Sequence, residues 1–214
     1  EPPKSVMSLG GRFGYVDDGE TANTQICLFD YGDAELIFEV RGLATGDYKG
    51  ARVGNIFFGE KGVIVCPSYS GGFLLDNDGK KVQDFKGAGG DGNHFANFVK
   101  AVRARDQKLL TADILEGHLS SALCHLGNIS YRLGVEKAMS EVKAFTDSKD
   151  AMEAFDRMAQ HLRDNKVDLD KAVGRVGSVL PIDPKTERFT GNNSKANEML
   201  FREYRKGFEV PTKF

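Results

Sequence analysis

The first part of the chain alternates between apolar and polar residues in short runs, which predicts β-strands. Residues 5–16 form the first run and end in a glycine-rich turn, and residues 25–31 and 35–41 form two more. In the third run apolar side chains alternate with charged ones, and its apolar side consists of Leu36, Phe38 and Val40. This pattern is typical of a half-buried strand with one face in water.

Two hairpins follow these runs. The segments NIFF (55–58) and VIVC (63–66) flank one turn, and FLLD (73–76) and KKVQDF (80–85) flank a second turn that contains Asp-Gly. Short connections between about seven short strands predict an antiparallel sheet, because parallel strands need long crossover connections.

Beyond residue 87 the spacing of the apolar residues changes to the three- or four-residue repeat of a helix. Residues 93–106 carry an apolar stripe, for which Asn93 is the expected N-cap. Residues 149–165 carry another, with Asp147 or Ser148 as the cap. The helices follow the strands along the chain, which favours the α+β class.

The stretch 116–134 is expected to be the central helix, since no Asp, Glu, Lys or Arg lies between Glu116 and Arg132. At 100° per residue its apolar stripe consists of Leu115, Leu119, Ala122, Leu126, Ile129 and Leu133. Beside it runs a polar stripe of His118, Ser121, His125, Asn128 and Arg132. A helix without a charged face is usually contacted on several sides. We therefore expect the apolar stripe on a sheet and the polar stripe toward another domain or a pocket.

The tail lacks the regular pattern of the earlier segments. Residues 173–190 are expected to be irregular or extended, because Pro181 and Pro184 interrupt any helix, and a short helix is expected at 197–205. The predicted fold is α+β, an open, mostly antiparallel sheet of about six to seven strands with helices on one face and an irregular C-terminal arm. Residues 1–166 would form this domain and residues 167–214 an extension packed on it.

Composition removes several classes of function. The net charge of −2 and the pI of about 6.1 provide no basic field for nucleic acid. No apolar run approaches the roughly 20 residues of a membrane helix. Cys27, Cys66 and Cys124 are far apart and lie in apolar segments, which predicts buried free thiols and no zinc site. The opening residues EPPKSV, without Met or a signal peptide, indicate a fragment or a processed product.

Gly87, Gly89 and Gly92 match the G-x-G-x-x-G fingerprint of dinucleotide-binding proteins. That fingerprint requires a buried, continuously apolar strand of a parallel sheet before it. The preceding strand here is KKVQDFK, which is charged and alternating. The glycines are therefore interpreted as a turn between sheet and helix, and no cofactor-binding residue is predicted.

The histidines and one polar loop are the remaining candidates for a site. His118 and His125 lie about 10 Å apart along one helix face, too far to share a metal ion without other ligands. Hydrogen bonding to a neighbouring element is the favoured interpretation, and a polar face toward a substrate is the alternative. The loop of residues 12–23 combines Arg12 and Tyr15 with three acidic residues. It could bind a cation or sugar hydroxyls, or be a solvated hairpin loop.

Several segments together resemble the C-terminal domain of the glucose–fructose oxidoreductase / inositol dehydrogenase / MocA (Gfo/Idh/MocA) family. They are PKSVMSLGGRFGYVDDGETANTQICLFDYGDAELIFEVRGL, GNHFANFVKAVRARD and EGHLSSALCHLGNISYRLG. The tail segments HLRDNKVDLDKAVGRVGSVLPIDPKTERFTG and NEMLFREYRKGFEVP are similar to the C-terminal extension of a bacterial subgroup common in planctomycetes.

This resemblance implies part of an NAD(P)-dependent oxidoreductase acting on sugars, polyols or related compounds. In the family an N-terminal Rossmann domain binds the NAD or NADP, and the open face of the C-terminal sheet packs against another subunit. The Rossmann fingerprint, the Glu-Lys-Pro motif with the catalytic lysine, and the helix of the proton-transferring residue are not in this sequence. No catalytic residue is therefore assigned, and this chain alone is expected to bind no NAD.

Two hypotheses follow. In the first, the chain is the substrate-binding and oligomerising domain of such an oxidoreductase, with a carbohydrate-like substrate and a dimer or tetramer formed through the sheet face. The expected substrate-binding residues are Arg12, Tyr15, Asp17, His94 and His118. In the second, the chain is a stand-alone, non-catalytic binding or scaffold module that self-associates through its open sheet face.

Overall fold

The computed structural model describes residues 1–87 and 91–210, which divide into two compact units. The first unit comprises residues 1–44 and 118–214, and the second comprises residues 45–117. In chain order the strands are β1 (Ser5–Gly11), β2 (Thr24–Asp30), β3 (Glu35–Arg41), β4 (Asn55–Gly59), β5 (Gly62–Ser68), β6 (Gly71–Leu75), β7 (Lys81–Lys86), β8 (Val135–Ala138), β9 (Val173–Val176), β10 (Leu180–Asp183) and β11 (Arg188–Phe189). The helices are α1 (Asp91–Ala104), α2 (Ile114–Arg132), α3 (Lys149–Asp164) and α4 (Ser194–Glu198).

The first unit is built on a seven-stranded antiparallel sheet. Its main order is β11-β10-β1-β2-β3, and β9 pairs with both β1 and β8. The predicted α+β class with an open antiparallel sheet is confirmed. The seven predicted strands of the N-terminal part are divided between two sheets, and the tail contributes β9, β10 and β11 to the first.

Helices cover both faces of the first sheet, whereas the sequence predicted one covered face. Val6 and Phe29 pack with Leu126 of α2 on one face. Leu9 and Ile26 pack with residues of α3, including Met158 and Leu162, on the other. Successive side chains of a strand point to opposite faces of the sheet. In β1 and β2 both the odd-numbered and the even-numbered positions carry apolar residues, so each face must be covered by a helix.

Strand β3 shows the predicted alternation, and its apolar side is the one left open. Leu36 and Phe38 are 40% and 44% exposed. On the opposite side, Glu39 forms ion pairs with Arg41 and with Arg157 of α3. The charged side of this edge strand is thus held against a helix, and the apolar side lies free on the described part of the chain.

The predicted helix boundaries hold best for α3. Its N-cap is Ser148, whose Oγ accepts a hydrogen bond from the Ala151 N–H at 3.2 Å, as predicted. The C-terminal part of the α2 apolar stripe, Leu126 and Ile129, is buried, whereas Leu115 is exposed. The last helix is wrongly placed by the sequence: α4 is Ser194–Glu198, because Ala196 packs into the core beside α2.

The second unit contains a four-stranded antiparallel sheet of order β4-β5-β6-β7, which includes both predicted hairpins. Phe57, Ile64 and Leu74 lie side by side across β4, β5 and β6, and both Phe57 and Ile64 are exposed. Helix α1 begins at Asp91, so Asn93 lies inside its first turn and is not the N-cap. Gly89 of the glycine-rich turn lies outside the described residues.

The cysteines are free, but the prediction that all are buried is wrong. Cys27 is buried, Cys66 is intermediate and Cys124 is exposed on α2. Burial raises the pKa of the Cys27 thiol to about 11. Cys124 lies one turn before Gly127 on α2 and is exposed to solvent. Within the described residues, no helix has both the length and the apolarity needed to cross a bilayer.

Candidate functional site

The loop between β1 and β2 folds around the guanidinium group of Arg12. Its Nη1 donates to the Thr21 carbonyl at 2.6 Å, and its Nη2 forms an ion pair with Asp17. Asp17 also accepts a hydrogen bond from the Gly19 N–H at 2.9 Å. The ring of Tyr15, which is about half exposed, has its centroid 5.9 Å from Arg12 Cζ. Arg12, Tyr15 and Asp17 therefore form one cluster.

Asn23 fixes the base of this loop to the core. Its Oδ1 accepts from the Phe13 N–H at 3.1 Å, and its Nδ2 donates to the Phe13 carbonyl at 2.9 Å. Both residues are buried. Because the amide group of Asn23 satisfies both backbone groups of Phe13, the chain can leave the sheet there without orphaned polar groups.

A polar cleft of about 570 Å³ lies beside the loop. It is formed by the end of β1, the end of α2 and the β8–β9 pair, all in the first unit. The charged side chains that line it are Arg12, Glu20, Arg132, Glu136 and Arg175. Three guanidinium groups and two carboxylates thus face one space, which suits a small ligand that offers both hydrogen-bond donors and acceptors.

Four of the five charged groups that line the cleft form two ion pairs with one another. Glu20 Oε2 lies 3.2 Å from Arg132 Nη2, which joins the loop to the end of α2. Glu136 and Arg175 are cross-strand partners in the β8–β9 register, and Glu136 Oε1 lies 3.0 Å from Arg175 Nη2. Arg175 Nη1 also donates to the Arg132 carbonyl at 3.4 Å. Because α2 ends at Arg132, this bond satisfies one of its terminal carbonyl groups.

The two predicted histidines lie elsewhere. His118 Nε2 is 2.7 Å from Oε2 of Glu187, and both side chains are about half exposed. His118 precedes Arg132 by about four helical turns, roughly 21 Å along the axis, so it does not line the cleft. His94 belongs to α1 in the second unit, where its ring meets Phe95 edge-on at 5.6 Å.

The rest of the α2 polar stripe is largely open. His118, Ser121 and His125 are exposed, and Asn128 is partly buried. Ser121 Oγ donates to the His118 carbonyl at 3.1 Å. Among residues 1–87 and 91–210, no group of three or more His, Cys, Asp and Glu is arranged to hold a metal ion.

Sequence reasoning missed Glu136 and Arg175. They come from two short strands separated by α3, and only the pairing of β8 with β9 brings them to the cleft. The alternation in VEKA and VGRV is a weak signal for strands, and it carries no information about their partner.

Comparisons with known proteins give little further information. No protein-family profile matches the chain, and no curated protein matches it. A crystal structure from Klebsiella pneumoniae, provisionally described as an oxidoreductase, matches with a TM-score of 0.47 and 13% identity. The match covers 75% of this chain and 48% of the other, so this chain spans about half the length of that structure. Similarity at this level carries no argument about fold or function.

Proposed function

We propose that the chain is the substrate-binding and oligomerising portion of an NAD(P)-dependent oxidoreductase of the Gfo/Idh/MocA type. Its substrates would be sugars, polyols or related compounds. The observation that carries the proposal is the charged cleft beside the Tyr15 loop, in a chain whose segments resemble the C-terminal domain of that family.

The chemistry of the cleft fits a polyhydroxylated ligand. A sugar hydroxyl both donates and accepts, and the cleft alternates arginine donors with carboxylate acceptors. Tyr15 is half exposed and lies beside Arg12, so it offers an aromatic surface on which the apolar face of a sugar ring could pack. Arg12 and Arg175 are each held by two contacts, so they are preorganised for binding.

In this proposal the hydride passes between a substrate carbon and a nicotinamide held by a separate Rossmann domain. NAD or NADP is the cofactor of the whole enzyme, and this chain contributes substrate contacts instead of cofactor contacts. His94 and His118 remain candidates for substrate contacts only if that domain or another subunit completes a site around them.

The direct test is to express this chain together with its upstream coding sequence and to titrate NADH and NADPH by nicotinamide fluorescence. Tight binding of one of them, followed by sugar- or polyol-dependent reduction of its oxidised form, is the expected result. If neither nucleotide binds, the oxidoreductase assignment fails. Arg12→Gln should raise the KM for the substrate and leave nucleotide affinity unchanged, because Arg12 lies in the proposed sugar cleft.

Self-association is the second part of the proposal, and it would stand alone if the chain were a non-catalytic module. The exposed side of the second sheet presents Phe57, Ile64 and Leu74 across three strands without an intervening charge. A second copy of the chain fits such a side, since two identical apolar surfaces can meet about a two-fold axis without charge complementarity.

Sedimentation velocity of the 214-residue chain tests this part. We expect at least a dimer, and Phe57→Asp should shift it to the monomer. Val53→Asp is the control, because Val53 is also an exposed apolar residue of the second unit but lies outside that row. A strict monomer at high concentration would contradict the proposal.

A further inference from the structure

The three arginines of the cleft differ in the number of contacts that hold their guanidinium groups. Arg12 is fixed by Thr21 and Asp17, and Arg175 by Glu136 and the Arg132 carbonyl. The guanidinium group of Arg132 has one charged partner among the described residues, Glu20.

The pair between Arg132 and Glu20 is also the most exposed in the cleft. The side chain of Glu20 is 80% exposed and that of Arg132 is 48% exposed, compared with 23% for Arg12. An exposed ion pair gains little in water because each charge remains well solvated. Replacing Glu20 by another carboxylate therefore costs little.

Displacement of Glu20 would leave the cleft with one unbalanced positive charge. Arg12 keeps Asp17 and Arg175 keeps Glu136, so the free charge is that of Arg132. A guanidinium group offers a planar pair of N–H donors that matches a carboxylate. Hydroxyl groups of the same ligand would meet the fixed arginines and Glu136.

We infer that the cleft selects carboxylated sugars, and that the substrate carboxylate takes the place of Glu20 on Arg132. This inference rests on the proposed function, since it names the substrate class of the same cleft. Glu20 acts as an internal competitor: it occupies Arg132 in the free protein and leaves when an anionic sugar enters.

The test compares matched pairs of sugars that differ only at C6. D-Glucuronate and D-galacturonate are titrated against D-glucose and D-galactose by isothermal calorimetry on the 214-residue chain. We expect each acid to bind about threefold more tightly than its neutral counterpart, because Arg132 is half exposed and an exposed ion pair contributes at most about 1 kcal/mol. The preference should fall as salt is added.

Three variants assign the effect to its residues. Arg132→Gln should abolish the preference for the acids, and Glu20→Gln should strengthen acid binding about threefold because the competing carboxylate is gone. Arg163→Gln is the control, since Arg163 lies on α3 beside a different cleft, and it should change nothing. Circular dichroism verifies that each variant is folded, and the Glu20 variant tests the inference independently if Arg132→Gln does not fold.

The outcomes distinguish failure of this inference from failure of the proposed carbohydrate site. Equal binding of acid and neutral sugars, or a preference that survives Arg132→Gln, overturns this inference and leaves the proposed carbohydrate site intact. Binding of none of the four sugars overturns the inference and counts against the carbohydrate site as well.

Discussion

Helix α2 approaches the first sheet so closely at Gly127 that adding a single methyl group there should change the free energy of unfolding measurably. A Cβ atom built on Gly127 would lie 2.6 Å from Cys27 Sγ and 3.7 Å from Phe29 Cζ. Earlier on the same helix, a Cβ on Gly117 would have nothing within 4 Å. The two glycines thus form a matched pair within one helix.

The two alanine substitutions should have different effects. Alanine is favoured over glycine inside a helix by about 1 kcal/mol, so Gly117→Ala should raise the free energy of unfolding by about that amount. Gly127→Ala makes the same gain but forces Cys27 or the helix to shift, and overpacking of a core costs roughly 1–3 kcal/mol. The expected net effect is a loss of about 0–2 kcal/mol.

Urea denaturation followed by far-UV circular dichroism measures both values, provided that the m-value is unchanged. A double-mutant cycle with Cys27→Ala gives the cause, because removing Sγ makes room for the new methyl group. We expect a coupling of about 1 kcal/mol or more between positions 27 and 127. Equal stabilisation by both alanine substitutions, or no coupling with Cys27, would refute a close approach of α2 to β2.

Three further predictions concern buried polar groups and thiols. The buried Ser8 N–H donates to Ser130 Oγ at 3.0 Å, and Ser130→Ala removes this acceptor. The free energy of unfolding should fall by about 1–3 kcal/mol in the same urea assay, and an unchanged value would contradict this prediction. Burial and the nearby charge of Arg41 lower the pKa of His161 below its usual 6.5, so His161 contributes stability above that pH that is lost as the pH falls through the folded pKa. The drop in Tm between pH 7.5 and 5 should therefore be smaller in His161→Phe, and an identical drop would count against this assignment. A thiol reagent should modify exposed Cys124 within minutes and buried Cys27 only after unfolding, so equal rates would show that the sheet is open at β2.

Local features of the fold could be predicted from the sequence. The Ser148 cap, the alternation of β3 and the two hairpins of the second unit depend on residues a few positions apart. The exposure of the apolar side of β3 could not be predicted from the sequence. It depends on the ion pair between Glu39 and Arg157, which lies far away along the chain. From the sequence, a charged strand face is expected to lie in water, but here Glu39 forms an ion pair with a residue of helix α3.

The candidate site divides in the same way. Arg12, Tyr15 and Asp17 belong to one loop, and their proximity follows from the chain itself. The ion pair of Glu20 with Arg132 joins the loop to the end of α2, and Arg175 reaches the cleft through strand pairing. Sequence patterns give the faces of elements but not their partners, so these residues were recognised only in three dimensions.

The central position of β1 has a consequence for how the chain acquires its fold. One edge of β1 pairs with β2 close by, but the other edge is shared by β9 and β10, so that Ser5 pairs with Pro181 and Leu9 with Val176. A growing polypeptide therefore carries an unpaired, apolar strand edge until β9 and β10, at residues 173–183, have been synthesised. Bringing together β1 and strands that lie so far away along the chain slows folding. The protein should depend on chaperones that shield β1 during translation, and shortening the chain before β9 should yield aggregates instead of a smaller folded domain.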